Sequence, residues 1–276
     1  MAEFATIRCY RDFEFSVKHI ARYVHGPKIS EFLKTVMATS ESRATVLEKD
    51  AVFYRAQRGF GWRPVSDDRE GSEAEDALSP DKMVPKAEFI GEGRVNSTGI
   101  PCLYLASNGK TAMSEVRPWI GSYISLASFK VIRDCRVVDC SKDRGRGSMG
   151  WMLSGKKAEP DAAGREAGVW GDIARAFSKP ITANEPNSDY VPTQVLAEAF
   201  RSHGYDGIVY KSLLDADGIN IALFDLAAAE MINCTLFSTR SVSFEFDQAR
   251  NSYFISKHYP EIAAHSAELK KSAAAD

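Results

Sequence analysis

The sequence predicts an α+β fold, and three observations point to it. Short apolar runs with strand character dominate the chain. Helical patterns with clear start and stop residues are few. No segment repeats, which sets aside solenoids and propellers. Residues 1 to about 50 read as helical: Ile29, Leu33, Val36 and Met37 recur at i, i+4, i+7 and i+8 behind Gly26 and Pro27. Such a stripe needs a surface to cover, either the rest of this protein or a partner. Ala51–Ala56 reads as a buried strand, and Asp67–Asp76, with six acids and one arginine, as a solvated loop. The turn-rich segment Gly91–Pro101 runs into an apolar strand at Cys102–Ala106, followed by a short helix over Thr111–Val116 that Arg117 and Pro118 close. Ile124–Ile132 and Cys135–Asp139 are further strands. Residues 141 to about 190 are rich in Gly, Ser, Lys and Pro. With one helical piece near Trp170–Phe177, they read as a long surface insertion. Pro192–Gly204 is a helix with proline in its first turn, glycine after its end, and Val195, Leu196 and Phe200 along one face. Strands are expected at Gly207–Tyr210 and Ile219–Phe224, around the polar turn Lys211–Gly218. Val242, Phe244 and Phe246 alternate as one more half-buried strand, and the tail after Glu261 is expected to fray.

Composition narrows the function classes. The 276 residues carry 35 Lys+Arg against 37 Asp+Glu, with 44% hydrophobic and 26% charged residues, which excludes a disordered or fibrous chain. A net charge of −2 argues against nucleic acid as the main partner, because phosphate backbones recruit a basic excess. It leaves room for a small anion gripped by a few arginines. No run of about 18 apolar residues is present to span a membrane. The first fifteen residues are charged every few positions, unlike a secretory signal. Five cysteines, an odd number without a CxxC pair, suggest reduced thiols in the cytoplasm. His19, His25, His203, His258 and His265 lack metal-ligand spacing, so neither a metal nor a disulfide framework is expected.

Three features between residues 91 and 118 could carry chemistry. Arg94 lies in a glycine-flanked turn, where a planar guanidinium can grip phosphate oxygens in bidentate fashion. Tyr104 sits in a strand otherwise made of small and aliphatic residues, and Glu115 lies amid Ala112, Met113 and Val116. A cation, an aromatic face and a partly buried carboxylate together suit a nucleotide-like substrate. Each also has a plain alternative: a surface arginine, a core tyrosine, a solvated glutamate.

The string GRVNSTGIPCLYLASNGKTAMSEVRP, residues 93–118, resembles the central signature of the RES-domain proteins, named for an arginine, a glutamate and a serine. Tyr205–Ser212, followed by Gly218–Asn220 and Leu223–Phe224, is similar to the family's second landmark, which supplies the serine. The likeness covers roughly residues 51–226. Arg94, Tyr104 and Glu115 match the family's functional positions, and Ser212 is the best match for the serine. The resemblance implies a fold related to the ADP-ribosyltransferases, with a split β-sheet core, flanking helices and, here, an N-terminal helical extension over residues 1–50. It places a catalytic domain over 51–260, with an insertion at about 141–190, and a flexible tail over 261–276. It further implies a toxin of a bacterial toxin–antitoxin pair that consumes NAD as a substrate, with no separate cofactor. An Xre-like helix-turn-helix antitoxin would block the active site.

Breaking the nicotinamide–ribose bond passes through an oxocarbenium-like state. Glu115 could hydrogen-bond a ribose hydroxyl and stabilise the developing charge, Tyr104 could stack on nicotinamide, and Arg94 could hold the diphosphate. Ser212 offers a hydroxyl to orient ribose or phosphate rather than a nucleophile. Arg55 is a second phosphate ligand or a structural ion pair. Asn96 is expected to fix its own turn and Tyr123 to pack in the core, while Asn220 is left between ligand and loop. The rival reactions are transfer of ADP-ribose to a protein or small molecule and, from another class, nucleotide binding without turnover. Self-association is compatible with all of them.

Overall fold

A computed structural model describes residues 2–64, 73–153, 155, 158–179 and 187–248. Of these, residues 2–240 belong to one compact unit and residues 241–248 to another. The chain opens with helix α1 (Cys9–His19) and α2 (Pro27–Ser40), the latter with Pro27 in its first turn. Phe13 and Phe32 stack between them at 4.8 Å, and Ile29 and Val36 of the predicted stripe are buried. Strand β1 (Ala44–Leu47) then pairs antiparallel with a strand of the main sheet. Residues 1–50 are therefore more than a helical extension, because they supply the sheet's edge.

Strand β2 (Val52–Arg58) follows, then β3 (Gly61–Pro64) and β4 (Glu73–Asp76), which pair with each other as a separate two-stranded sheet. The acidic stretch expected as a loop is strand at Glu73–Asp76; its first part, residues 67–72, lies outside the described residues. Next come α3 (Pro80–Met83), β5 (Leu103–Ala106), α4 (Gly109–Glu115), β6 (Tyr123–Val131) and β7 (Cys135–Asp139). Helices α5 (Ser148–Leu153), α6 (Ala162–Ser178) and α7 (Val191–Ser202) precede β8 (Gly207–Lys211), β9 (Ile219–Leu223) and β10 (Ala229–Ser238).

The eight-stranded sheet runs β1-β7-β8-β9-β5-β2-β6-β10. Only the β7–β8 pair is parallel. The class is α+β, as the sequence predicts. Helices α1, α2, α6 and α7 pack their aromatic and aliphatic side chains together with residues of β8 and β9 as one large core.

Two expectations fail here. The segment read as a surface insertion supplies α6, whose Val169, Trp170, Ile173 and Phe177 are fully buried. Its glycines, which read as loop punctuation, are places of close approach: a Cβ at Gly171 would lie 2.6 Å from Gly147 N and 2.7 Å from Asp143 O. The alternating run Val242, Phe244 and Phe246 is not a strand; the rings of Phe244 and Phe246 stack at 6.0 Å and both are exposed. The strand preceding it, β10, had no clean alternation to announce it. The tail after Glu261 lies outside the described residues.

Candidate active site

Most neighbouring strands in the sheet pair over several residues, β2 and β6 over seven, from Val52–Lys130 to Arg58–Ile124. Strands β2 and β5 meet only at Tyr54 and Ala106. The sheet is thus split between five strands and three, and a cavity of about 410 Å³ opens there. Four consecutive residues of β2, from Tyr54 to Gln57, line it. Successive side chains of a strand alternate between faces, so four in a row mark a strand's open edge rather than a face.

One carbonyl at the seam, that of Tyr104, takes a side-chain partner in place of a strand. Arg55 donates from Nε to Met83 O at 2.8 Å and from Nη1 to Tyr104 O at 3.2 Å. Among the described residues no carboxylate pairs with it, so the structural ion pair is absent. Burial pulls its guanidinium down to about 10. A cation on a cavity wall without an acid to neutralise it is a natural anion ligand.

Glu115 reaches the cavity from the last residue of α4. Asn108 starts that helix by accepting the Thr111 N–H at 2.8 Å, and Arg117, at φ 47°, stops it. Ala112 packs with Ala56, Ala106 and Ile124, which presses the helix onto the seam. The Ser212 hydroxyl and the Asn220 amide both donate to Glu115 Oε1 at 2.7 Å. With both donors on one oxygen, Oε2 is the oxygen left for a ligand.

Tyr104, on β5, donates to Asn96 Oδ1 at 2.8 Å and accepts the Val95 N–H at 3.0 Å. Burial raises its phenol well above the ordinary range. Asn96 in turn donates to Gly91 O and Ser97 O, fastening the turn that carries Arg94. Only glycine fits at 93, because a Cβ there would lie 2.5 Å from Asn96 Oδ1 and 2.6 Å from the Tyr104 hydroxyl. Arg94 donates to Phe177 O at 3.3 Å and sits 5.6 Å over the ring of Tyr210. Burial pushes the Tyr210 phenol up to about 12 against the opposing effect of Arg94.

The fold gathers Arg55, Arg94, Tyr104 and Glu115 around one cavity. Ser212 is placed otherwise. It is buried, lies off the cavity wall, donates to Glu115 and accepts the Leu214 N–H at 3.1 Å, so its hydroxyl is held against the Glu115 carboxylate. Tyr123 is also off the wall, against Phe60 at 5.0 Å. Sequence reasoning missed Tyr54, Gln57, Tyr190 and Tyr210 on the wall. A signal existed for two partners of the site: pairing β8 with β9 around Lys211–Gly218 sets Tyr210 opposite Asn220, and alternation puts Ser212 on the face of Tyr210. Tyr190 follows residues with no pattern to read. Among the described residues no group of three His, Cys, Asp or Glu could hold a metal ion, and no helix is long and apolar enough to cross a membrane.

Among solved structures, the chain is similar to a chain in the crystal structure of the M. tuberculosis MbcT-MbcA toxin-antitoxin complex, at 14% identity and a TM-score of 0.37, covering 74% of this chain and 92% of that one. No curated protein matches. The family model of the RES domain matches residues 62–247, a span that contains Arg94, Tyr104, Glu115 and Ser212, and the chain belongs to the RES domain family.

Proposed function

We propose that the protein is an NAD-consuming toxin of a toxin–antitoxin pair, which cleaves the bond between nicotinamide and ribose. The observation that carries this reading is Glu115, with Oε1 fixed by Ser212 and Asn220 and the carboxylate on the wall of the seam cavity. Family membership supports it. As the glycosidic bond breaks, positive charge develops on the ribose, and a carboxylate already held in place stabilises it without reorganising. The bond's electron pair leaves with nicotinamide, whose ring loses its positive charge, and an oxygen of water, which gives up a proton, or of inorganic phosphate then bonds to the ribose carbon. Tyr104 offers a face for that ring, and its buried phenol stays protonated and tied to Asn96. Arg94, steadied by Phe177 O and the Tyr210 ring, holds a phosphate of the substrate.

The natural partner on this reading is a helix-turn-helix antitoxin that covers the cavity. Incubating the purified protein with NAD and following free nicotinamide tests the chemistry. Release is expected, and addition of the antitoxin encoded beside it is expected to stop it. Absence of release, both with and without inorganic phosphate, would show the reading to be wrong.

A further inference from the structure

Another cavity, of about 380 Å³, lies between α1 and α6, away from the seam. Tyr10, Arg11 and Glu14 of α1 line it, with Asp172 and Arg175 of α6 and Lys179 just after that helix. A neck of about 40 Å³, walled by Glu14 and Lys179 on this side and by Arg94 and Tyr190 on the other, leads toward the seam. At roughly 10–15 Å³ per water, the neck admits about three waters and nothing larger, so this cavity is a site of its own. Its wall holds unspent bonding capacity of both signs. Tyr10 and Asp172 are 4% and 3% exposed, and neither the Tyr10 hydroxyl nor Asp172 Oδ2 has a hydrogen-bond partner among the described residues. Asp172 Oδ1 is in use, accepting the Ser148 N–H at 3.2 Å and Arg175 Nη1 at 3.0 Å. Arg11 donates to Met152 Sδ at 3.2 Å and Met149 Sδ at 3.6 Å, and no carboxylate among the described residues pairs with it. A thioether is a weak acceptor, so that guanidinium keeps its charge for a ligand. Buried polar atoms are normally paired, and two without partners on one cavity wall call for an occupant.

We propose that this cavity binds a neutral polar α-amino acid as a zwitterion. The ammonium donates to Asp172 Oδ2 and to the Tyr10 oxygen, and the carboxylate pairs with Arg11. The wall asks for both charges on one ligand. A phosphate ester would bring two negative charges against Glu14 and Asp172, and a simple cation would leave Arg11 unanswered. Burial first, then Glu14 and Asp172, keep the Tyr10 phenol protonated, so its oxygen stays a neutral acceptor for the ammonium. A side-chain amide suits the remaining wall, because it donates to Glu14 and accepts from Lys179. Glu14 meets Lys18 at 2.8 Å and Lys179 meets Asp189 at 3.8 Å, but a carboxylate accepts several hydrogen bonds and an ammonium donates three. The proposal is independent of the NAD reading.

The test compares three probes on the full chain by calorimetry. L-glutamine carries both charges, glutaric acid monoamide lacks the ammonium, and γ-aminobutyramide lacks the carboxylate. L-glutamine is expected to bind, at least about tenfold more tightly than either relative. Asp172→Asn keeps Oδ1 for Ser148 and Arg175 and removes the acceptor at Oδ2. It is expected to weaken L-glutamine by about 10- to 100-fold and to change the affinity for glutaric acid monoamide by less than about twofold. Tyr10→Phe is expected to weaken L-glutamine about fivefold with no fall in melting temperature, because it removes a hydroxyl that bonds nothing in the protein. A wild type that does not bind L-glutamine, equal binding of the three probes, or wild-type affinity in a folded Asp172→Asn would each overturn the site. If Asp172→Asn does not fold, Tyr10→Phe decides alone, and wild-type affinity there overturns the proposal.

Discussion

The helix-covered side of the sheet and the seam between β2 and β5 are built on opposite principles. Under α6 and α7 large apolar side chains close on one another. Trp170 is fully buried, stacks with Phe200 at 6.3 Å, donates to the Thr39 hydroxyl at 3.1 Å and carries the Arg43 guanidinium 4.5 Å above its ring. At the seam the ladder is left open after one residue pair, and the Arg55 side chain reaches across to the Tyr104 carbonyl. Stability and chemistry are therefore kept apart. One region removes apolar surface from water, while the other withholds backbone pairing so that a ligand can enter the sheet.

This contrast is easiest to break where its effect is largest. Trp170→Ala should cost about 3–5 kcal/mol, from lost burial and the cavity left behind. For a unit of this size that lowers the melting temperature by roughly 10 °C. NAD turnover per folded molecule should stay within about twofold, and an unchanged melting curve would deny that α6 is core. Tyr210 belongs to both regions, and alkali reads it out. Its folded phenol is raised by burial from 10.0 to about 12. The sign follows: this contribution is complete below about pH 10 and is lost as the pH rises from about 10 to 12. Tyr10 and Tyr104, raised by burial in the same direction, add to it. The urea midpoint should fall by the equivalent of a few kcal/mol between pH 9 and 12, and less in Tyr210→Phe. A midpoint flat over that range would mean the phenols are solvated.

Smaller effects sharpen the seam itself. Asn220→Ala and Ser212→Ala each remove one hydrogen bond to a carboxylate, worth about 1.5–3 kcal/mol, so kcat should drop about 10- to 100-fold. Because both donors serve one oxygen, the double variant should lose less than the product of the two. Multiplicative losses would show that they act separately. The smallest effect is expected at the partly buried pair Lys18–Asp189, at 2.8 Å beside the cavity residue Tyr190. Lys18→Met should cost less than about 1 kcal/mol of stability. It should raise KM for NAD two- to threefold with kcat unchanged, and steady-state kinetics with an unaltered KM would disconnect α1 from the site.

The residues of the candidate site were more legible than the scaffold. Arg94, Tyr104 and Glu115 stand in a compact stretch whose turn residues and strand pattern are local, and the fold leaves them where local rules put them. Asn220 and Tyr210 depended on strand register, which the hairpin turn implies but composition does not. Helix α6 was hidden because residues such as Gly171, which read as loop signals, are required by backbone packing that only the tertiary fold reveals. Strand β1 was hidden because its partner, β7, lies about ninety residues away in the chain. The residue pattern did not mark the seam, since an absence of pairing leaves no trace in it; the split sheet was implied by the family resemblance alone.

The central claim is that Glu115 acts on substrate and does not hold the fold together. Glu115→Gln keeps the acceptor oxygen for Ser212 and Asn220 and removes the negative charge. Its melting temperature and its rate of nicotinamide release from NAD, measured on the same preparation, decide the matter. The expected result is melting within about 2 °C of wild type and release slowed by about 100-fold or more, the scale of a lost preorganised electrostatic group. A folded Glu115→Gln that releases nicotinamide at the wild-type rate would contradict the account.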